Sequence, residues 1–172
     1  MKLKKAVLIS QGGKSSEMIA EELNKWFEIV ENIRLKEIKV SFDHEKGVIM
    51  ANNNVVKDCD MVYLRGSYKN KELLSTIASI VQKETYTPIS PEAFIFIHNK
   101  ILTHLILKKE GIPMPTTYLV DDKDSAKELL KELNYPVILK FPEGTQGKGV
   151  VFMESYAAAS SFIDALEKNK EF

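Results

Sequence analysis

The sequence has a single cysteine, Cys59, so an intramolecular disulfide is impossible and a reduced thiol is the plain reading. It has no apolar run long enough to span a bilayer. The opening MKLKKAVLIS starts like a signal peptide, but its apolar stretch is too short, and glycine and charge follow at once. It has no excess charge: 24 Lys+Arg stand against 24 Asp+Glu, and the basic residues are scattered. That removes the electrostatic ground for a nucleic-acid or anionic-membrane partner. It has no histidine pair suited to a metal. His98 and His104 are separated by about 240° on a helix, and His44 is isolated. Asp121, Asp122 and Asp124 lack the glycine and terminal glutamate of a calcium loop and read as helix caps. There is no internal repeat and no low-complexity linker. A cytoplasmic, soluble protein is expected.

What is present is 44% hydrophobic in 172 residues, enough for one large domain or two small ones. Ala6 to Ser10 is a short apolar run of the buried parallel-strand kind. Ile19, Leu23, Trp26 and Phe27 share one helical face. Residues 33–42 and 47–50 alternate as strands around a turn at His44–Gly47. Asp60–Arg65 is a second buried strand, Leu73, Ile77, Ile80 and Val81 mark a helix, and Thr87–Ser90 is strand-like. Ser90-Pro91-Glu92 reads as N-cap, N1 proline and acidic N2. The order predicts an open α/β sheet over residues 1–97.

The pattern changes near Asn99. Ile101, Leu102, Leu105 and Ile106 mark a helix that stops at Gly111, with Pro113 beyond. Thr116–Val120 reads as a strand, and Asp124 as the cap of a helix carrying Ala126, Leu129, Leu130 and Leu133. The run YPVILKFPEGTQGKGVVFME is strand, glycine-rich loop, strand. A last helix, Tyr156 to Lys168, buries Ala159, Phe162, Ile163 and Leu166. Residues 98–172 thus form a second, α+β unit.

Two loops compete for a phosphate. SQGGKSS (residues 10–16) has Gly-Lys-Ser between strand and helix, but the position where a P-loop needs its first glycine is Leu8. The favoured reading is a βα turn with serine caps. Lys14 and the helix start remain able to hold a substrate carboxylate or phosphate. EGTQGKGV (residues 143–150) lies between two strands, so it is neither a P-loop nor a dinucleotide fingerprint. Its glycines fit a long hairpin loop, and equally an anion cradle with bare backbone N–H groups. Lys140 ends the apolar run Val137-Ile138-Leu139 and must snorkel, pair with an anion or face a cleft. Periodicity leaves the two readings even. Glu143 reads as a solvated loop carboxylate rather than a contact to a magnesium-bound phosphate.

The segments ISPEAFIFIHNKILTHLILKKEGIPMPTTYLV and YPVILKFPEGTQGKGVVFMES resemble the ATP-grasp ligases, above all the RimK-type glutamate ligases and their archaeal relatives, which add glutamate or amino-adipate groups. An Asn/Asp-Lys helix start, a G-I-P-x-P-x-T turn, a lysine-ended strand and an E-G-T-Q-G-x-G-V flap occur in order. The resemblance covers about residues 90–172, and residues 1–89 fit the preceding α/β domain by pattern. It implies an α/β fold with a mainly parallel pre-ATP-grasp domain (1–97), followed by the first ATP-grasp subdomain (98–172).

The resemblance also implies roles. Lys100 and Lys140 would reach the phosphates of ATP, and Gly144, Thr145, Gln146, Gly147 and Gly149 would form the flap over them. Lys148 stands where many relatives have an apolar residue, and adds a phosphate contact or points to solvent. Arg65, with Lys14, would help to hold an acidic substrate, although a surface salt bridge is an equal reading for Arg65. The family continues past Glu171-Phe172 into the adenine strand and the magnesium ligands. The expectation is therefore a truncated ligase, inactive by itself, with no metal ligand of its own and exposed apolar surface prone to self-association. The implied function is ATP-dependent carboxylate–amine ligation through an acylphosphate, with ATP and Mg2+ as cofactors and glutamate or a similar amino acid as the amine. The alternatives are a non-catalytic α/β ligand- or protein-binding module and a P-loop nucleotidase using SQGGKSS.

Overall fold

Ala6, Val7, Leu8 and Ile9 have no exposed surface at all, because both faces of the strand that carries them are covered. A computed structural model of the chain describes residues 3–142, 147 and 149–168. It divides into two compact units, Met1–His98 and Asn99–Phe172.

The first unit runs β1 (Leu3–Ser10), α1 (Lys14–Leu23), β2 (Phe27–Arg34), β3 (Ile38–Phe42), β4 (Gly47–Ala51), β5 (Asn54–Val55), β6 (Met61–Arg65), α2 (Lys71–Val81) and α3 (Pro91–Phe96). A parallel sheet of order β2-β1-β6 sits beside an antiparallel sheet of order β3-β4-β5. One face of β1 (Val7, Ile9) joins Ile33, Val62, Leu64 and the α2 residues Leu74, Ile77 and Ala78 in the main core. Each such aliphatic side chain contributes on the order of 1.5–3 kcal/mol when fully buried. The expected open α/β arrangement is therefore present.

Several local expectations fail for tertiary reasons. The α1 face does not extend to Trp26 and Phe27. The helix ends at Leu23, Trp26 N–H bonds back to the Leu23 carbonyl (2.9 Å), and Trp26 is 64% exposed. Phe27 instead opens β2 opposite Leu3. The alternation over residues 33–42 is broken by a 3-10 turn, Leu35–Glu37, that buries Leu35. The β3–β4 turn is organised one residue earlier than expected: the Asp43 carboxylate accepts the N–H groups of Glu45 and Lys46, each at 2.8 Å. Thr87–Ser90 is not a strand. Tyr86 alone bridges to the parallel sheet, its carbonyl accepting from Val62 N–H at 2.9 Å. The α3 start is as expected, with the Ser90 hydroxyl accepting from Ala93 N–H.

The second unit runs α4 (Lys100–Lys109), α5 (Lys123–Glu132), β7 (Val137–Lys140), β8 (Val150–Met153) and α6 (Tyr156–Lys168). β7 and β8 form an antiparallel hairpin. Its inner face packs with Ala126 and Leu130 of α5 and Ala159 and Ile163 of α6. Lys127 places its ammonium 2.7 Å from both Asp164 oxygens, and Lys123 adds a contact at 3.1 Å. These bonds hold the Asp164 carboxyl below its ordinary value, Lys127 first.

α4 ends as the glycine predicts. Gly111 has φ +67°, its N–H bonds to Lys108 O and Ile112 N–H bonds to Leu107 O, the two bonds of a Schellman stop. The α5 cap is Asp122 rather than Asp124: its side chain accepts from Ser125 N–H at 2.9 Å. Thr116–Val120 is not a strand: it has no regular secondary structure and pairs with no described strand, and Tyr118, Leu119 and Val120 stay exposed. No residue of α4 is buried, and Leu105 is 58% exposed. No helix among the described residues is long and apolar enough to cross a membrane.

Candidate functional site

In the second unit the site is built at the start of α4. Asn99 caps the helix, its side-chain oxygen accepting from Ile101 N–H (3.0 Å) and Leu102 N–H (3.1 Å). Lys100 is the first helical residue. Its own N–H is not spent on the helix; it donates to Pro142 O at 2.9 Å. That bond joins the helix start to the segment two residues beyond Lys140. The Lys100 amino group is shielded from solvent and has no hydrogen-bond partner among the described residues. One turn later His104 Nδ1 lies 2.6 Å from Lys100 O. A carbonyl only accepts, so Nδ1 carries the proton and, in the neutral ring, Nε2 keeps the lone pair.

The hairpin supplies the other wall. Facing residues across it are Val137–Met153, Ile138–Phe152, Leu139–Val151 and Lys140–Val150. Alternation sends Val137, Leu139, Val151 and Met153 to the core and leaves Ile138, Lys140, Val150 and Phe152 on the open face. Ile138 is 47% exposed and Phe152 57%. The Lys140 side chain forms no ion pair or hydrogen bond with the described residues. An apolar strip ending in a lysine is what a planar, hydrophobic group with an anionic tail would meet.

The loop between the strands is pinned at its base. Phe141 N–H bonds to Gly149 O at 2.9 Å, and Val150 N–H to Gly147 O at 3.2 Å. Gly147 and Gly149 adopt φ +74° and +72°, where other residues are strained. A Cβ on Gly149 would also lie 2.8 Å from the Phe141 ring. Gly144, Thr145, Gln146 and Lys148, with Glu143, lie outside the described residues.

In the first unit Arg65 ends β6 and is the register neighbour of Ser10. Its side chain has no hydrogen bond or ion pair with the described residues. Lys14 opens α1 and is exposed. Only three residues separate β1 from α1, too few to wrap a phosphate as a P-loop does. A cavity of about 220 Å3 opens beside Arg65, walled by Ile19, Tyr63, Phe94 and Ile97, with His98 at its edge.

Residues 97–171 match the family model described as the RimK-like ATP-grasp domain. That segment is similar to the family the model describes. The chain is 37% identical over 83 residues to a probable alpha-L-glutamate ligase of Xanthomonas oryzae, a match covering 48% of this chain and 28% of that protein. A probable alpha-L-glutamate ligase of Xylella fastidiosa is 36% identical over the same shares. The match thus spans little more than a quarter of these curated relatives. Among solved structures, an ATP-grasp RimK domain protein from Sphaerobacter thermophilus superposes with a TM-score of 0.68 at 15% identity, covering 96% of this chain and 59% of that one. D-alanyl-alanine synthetase A from Vibrio cholerae gives 0.66 at 19% identity, covering 99% and 58%. Those two likenesses establish an ATP-grasp fold over both units.

Within the second unit the bond from Lys100 N–H to Pro142 O ties the start of α4 to the chain two residues beyond Lys140. Sequence reading missed two features. His104 was weighed only as a metal ligand, whereas its ring bonds to Lys100 O. Arg34 was not considered, because only strand register reveals that it flanks Ser10 opposite Arg65. Among the described residues no group of three or more His, Cys, Asp or Glu could hold a metal ion. Burial pushes the Cys59 thiol up, which disfavours the reactive thiolate.

Proposed function

We propose that this chain is part of an ATP-dependent carboxylate–amine ligase, with the ATP phosphates received by Lys100 and Lys140 and the acidic substrate by the first unit. The observation that carries the reading is the shielded amino group of Lys100, which has no hydrogen-bond partner among the described residues. An ammonium without a partner costs several kcal/mol when removed from water, and a bound anion is the simplest compensation. Lys140 ends β7, beside the apolar strip that suits a nucleobase.

In the reaction a substrate carboxylate oxygen attacks the terminal phosphorus of ATP, forming an acylphosphate and releasing ADP. An amine nitrogen then attacks the acyl carbon, phosphate departs with the C–O bonding pair, and the amine loses a proton. The two lysines act by neutralising charge and fixing the phosphates in place. The glycine-rich loop, Gly144 to Gly149, closes over them and keeps water from the acylphosphate. Mg2+, when bound, would neutralise charge on the phosphates; among the described residues no group of three or more His, Cys, Asp or Glu would hold it. Glutamate as the amine is supported by the names of the glutamate ligases that the segment resembles. Arg65 and Lys14 are the proposed contacts to the acidic substrate, and ATP chemistry of this kind belongs in the cytoplasm.

The test is a calorimetric titration of the chain with ATP, alone and as Lys100→Met and Lys140→Ala. Each lost charge-assisted bond is worth about 1.5–3 kcal/mol, roughly a ten- to hundredfold loss of affinity. ATP binding that both variants leave intact would refute the assignment.

A further inference from the structure

Arg34 sits in a place prepared for it. It ends β2, pairs in register with Ser10, and donates from Nη1 to Gln11 O at 3.1 Å. The guanidinium lies across Gly12: a Cβ there would stand 1.2 Å from Nη1. Gly12 also needs φ +87°, so the glycine both makes the turn and clears the seat. Among the described residues Arg34 meets no carboxylate, and one backbone carbonyl uses only one of its five N–H donors.

On the other side of Ser10 stands Arg65, with no partner among the described residues. Register partners in a parallel sheet point to the same face. Two strand spacings of about 4.8 Å put the two arginine Cα atoms roughly 10 Å apart, within reach of one small molecule. The chain leaves β1 toward α1 and β2 on one side and leaves β6 toward α2 on the other, so this is the point where strand order reverses. Crevices at the carboxyl ends of strands at such a point are where open α/β sheets bind ligands. The two departing loops are tied together by Gln11 Nε2 donating to Asn70 Oδ1 at 2.7 Å.

The cavity beside Arg65 defines the rest of the ligand. Its walls are Ile19, Tyr63, Phe94 and Ile97, and its volume is about 220 Å3. That is below the roughly 300–1,000 Å3 of pockets for drug-sized ligands. It admits a short chain of a few carbons, not a nucleotide or a polymer.

We infer that Arg34 and Arg65 form a two-arginine seat for a short-chain organic carboxylate, with Arg34 as a specificity residue held in place by Gly12. Its choice of a carboxylate over other anions rests on the ligase reading above. The planar fork of each guanidinium matches a carboxylate in two-point fashion, and the cavity takes the aliphatic chain.

The test uses the 172-residue chain with glutarate and inorganic phosphate as probes, followed by NMR chemical-shift titration without nucleotide. Saturable glutarate binding is expected, at least tenfold weaker in Arg34→Gln and in Gly12→Ala, and intermediate in Arg34→Lys. ATP affinity should be unchanged in all three. Glutarate binding that Arg34→Gln leaves intact, no saturable binding, or phosphate binding as tightly as glutarate would overturn the inference. Those results, with ATP affinity still dependent on Lys100, would sink this seat alone. Retained glutarate binding with no ATP binding would sink the ligase reading instead.

Discussion

Replacing Lys100 by methionine should stabilise the ligand-free protein while crippling its nucleotide binding. The side chain keeps its unbranched stem, so packing is largely conserved, and only the amino group is removed. In the structure that group is shielded and makes no hydrogen bond. Leaving a buried donor unsatisfied costs about 1–3 kcal/mol, and more for a charged one. Lys100→Met should therefore gain at least about 1 kcal/mol, and a chain of this size shifts its melting temperature by roughly 2–4 °C per kcal/mol. Binding moves the other way, by the ten- to hundredfold derived above. Urea unfolding and calorimetry on the same preparations give both numbers. Lys140→Met is the control. Lys140 is exposed, so its loss should leave stability within about 0.5 kcal/mol while still weakening ATP. A lysine kept for structure would lose stability on substitution. If Lys100→Met is destabilised, or binds ATP as the parent does, the anion-site argument fails.

Other outcomes follow from single contacts. Asn99→Ala removes the cap on two N–H groups and should cost about 1 kcal/mol in urea unfolding. Gly149→Ala places a methyl 2.8 Å from the Phe141 ring at φ +72°. It should cost at least about 1–2 kcal/mol for the backbone alone and lower ATP affinity by misplacing the loop. Asp164 has a carboxyl lowered in the folded state by Lys127 and Lys123. Such a group adds stability above its unfolded value, near 3.8, and loses it as pH falls through the folded one. Asp164→Asn should thus be less stable than the parent at about pH 7, with the gap closing toward about pH 3, as read by urea midpoints.

Much of this site could be read from the chain because its signals are local. An Asn-Lys helix start, a lysine closing an apolar run and glycines at a hairpin base each act within a few residues. The same holds for the Gly111 stop and for the α6 bounds. Failures arose where a distant partner decides the outcome. Phe27 continues the 3.6-residue period of α1, yet pairing opposite Leu3 makes it a strand residue. Arg34 carries no local mark of function, since its importance comes from register with Ser10 and from a glycine 22 positions earlier. Arg65 stands out in the sequence because it ends a visibly apolar run, whereas Arg34 ends a strand most of whose residues are exposed.

Thr116–Val120 shows the limit of pattern reading most clearly. Alternation says which side chains share a face; it does not supply the N–H and C=O groups that a strand must pair with. Here the segment has no regular structure, Tyr118, Leu119 and Val120 are 55%, 63% and 40% exposed, and no described strand pairs with it. The α4 face is in the same condition, with Leu105 58% exposed. Both belong to the ATP-grasp segment, which matches little more than a quarter of its curated relatives. A strand-like sequence that remains unpaired beside an uncovered amphipathic helix is physically consistent only if β propensity is a property of the packed pair. Supplying a partner strand should therefore convert residues 116–120 into a ladder, and protection of their amides from hydrogen exchange would report it; continued fast exchange with a partner present would show that the alternation there is incidental.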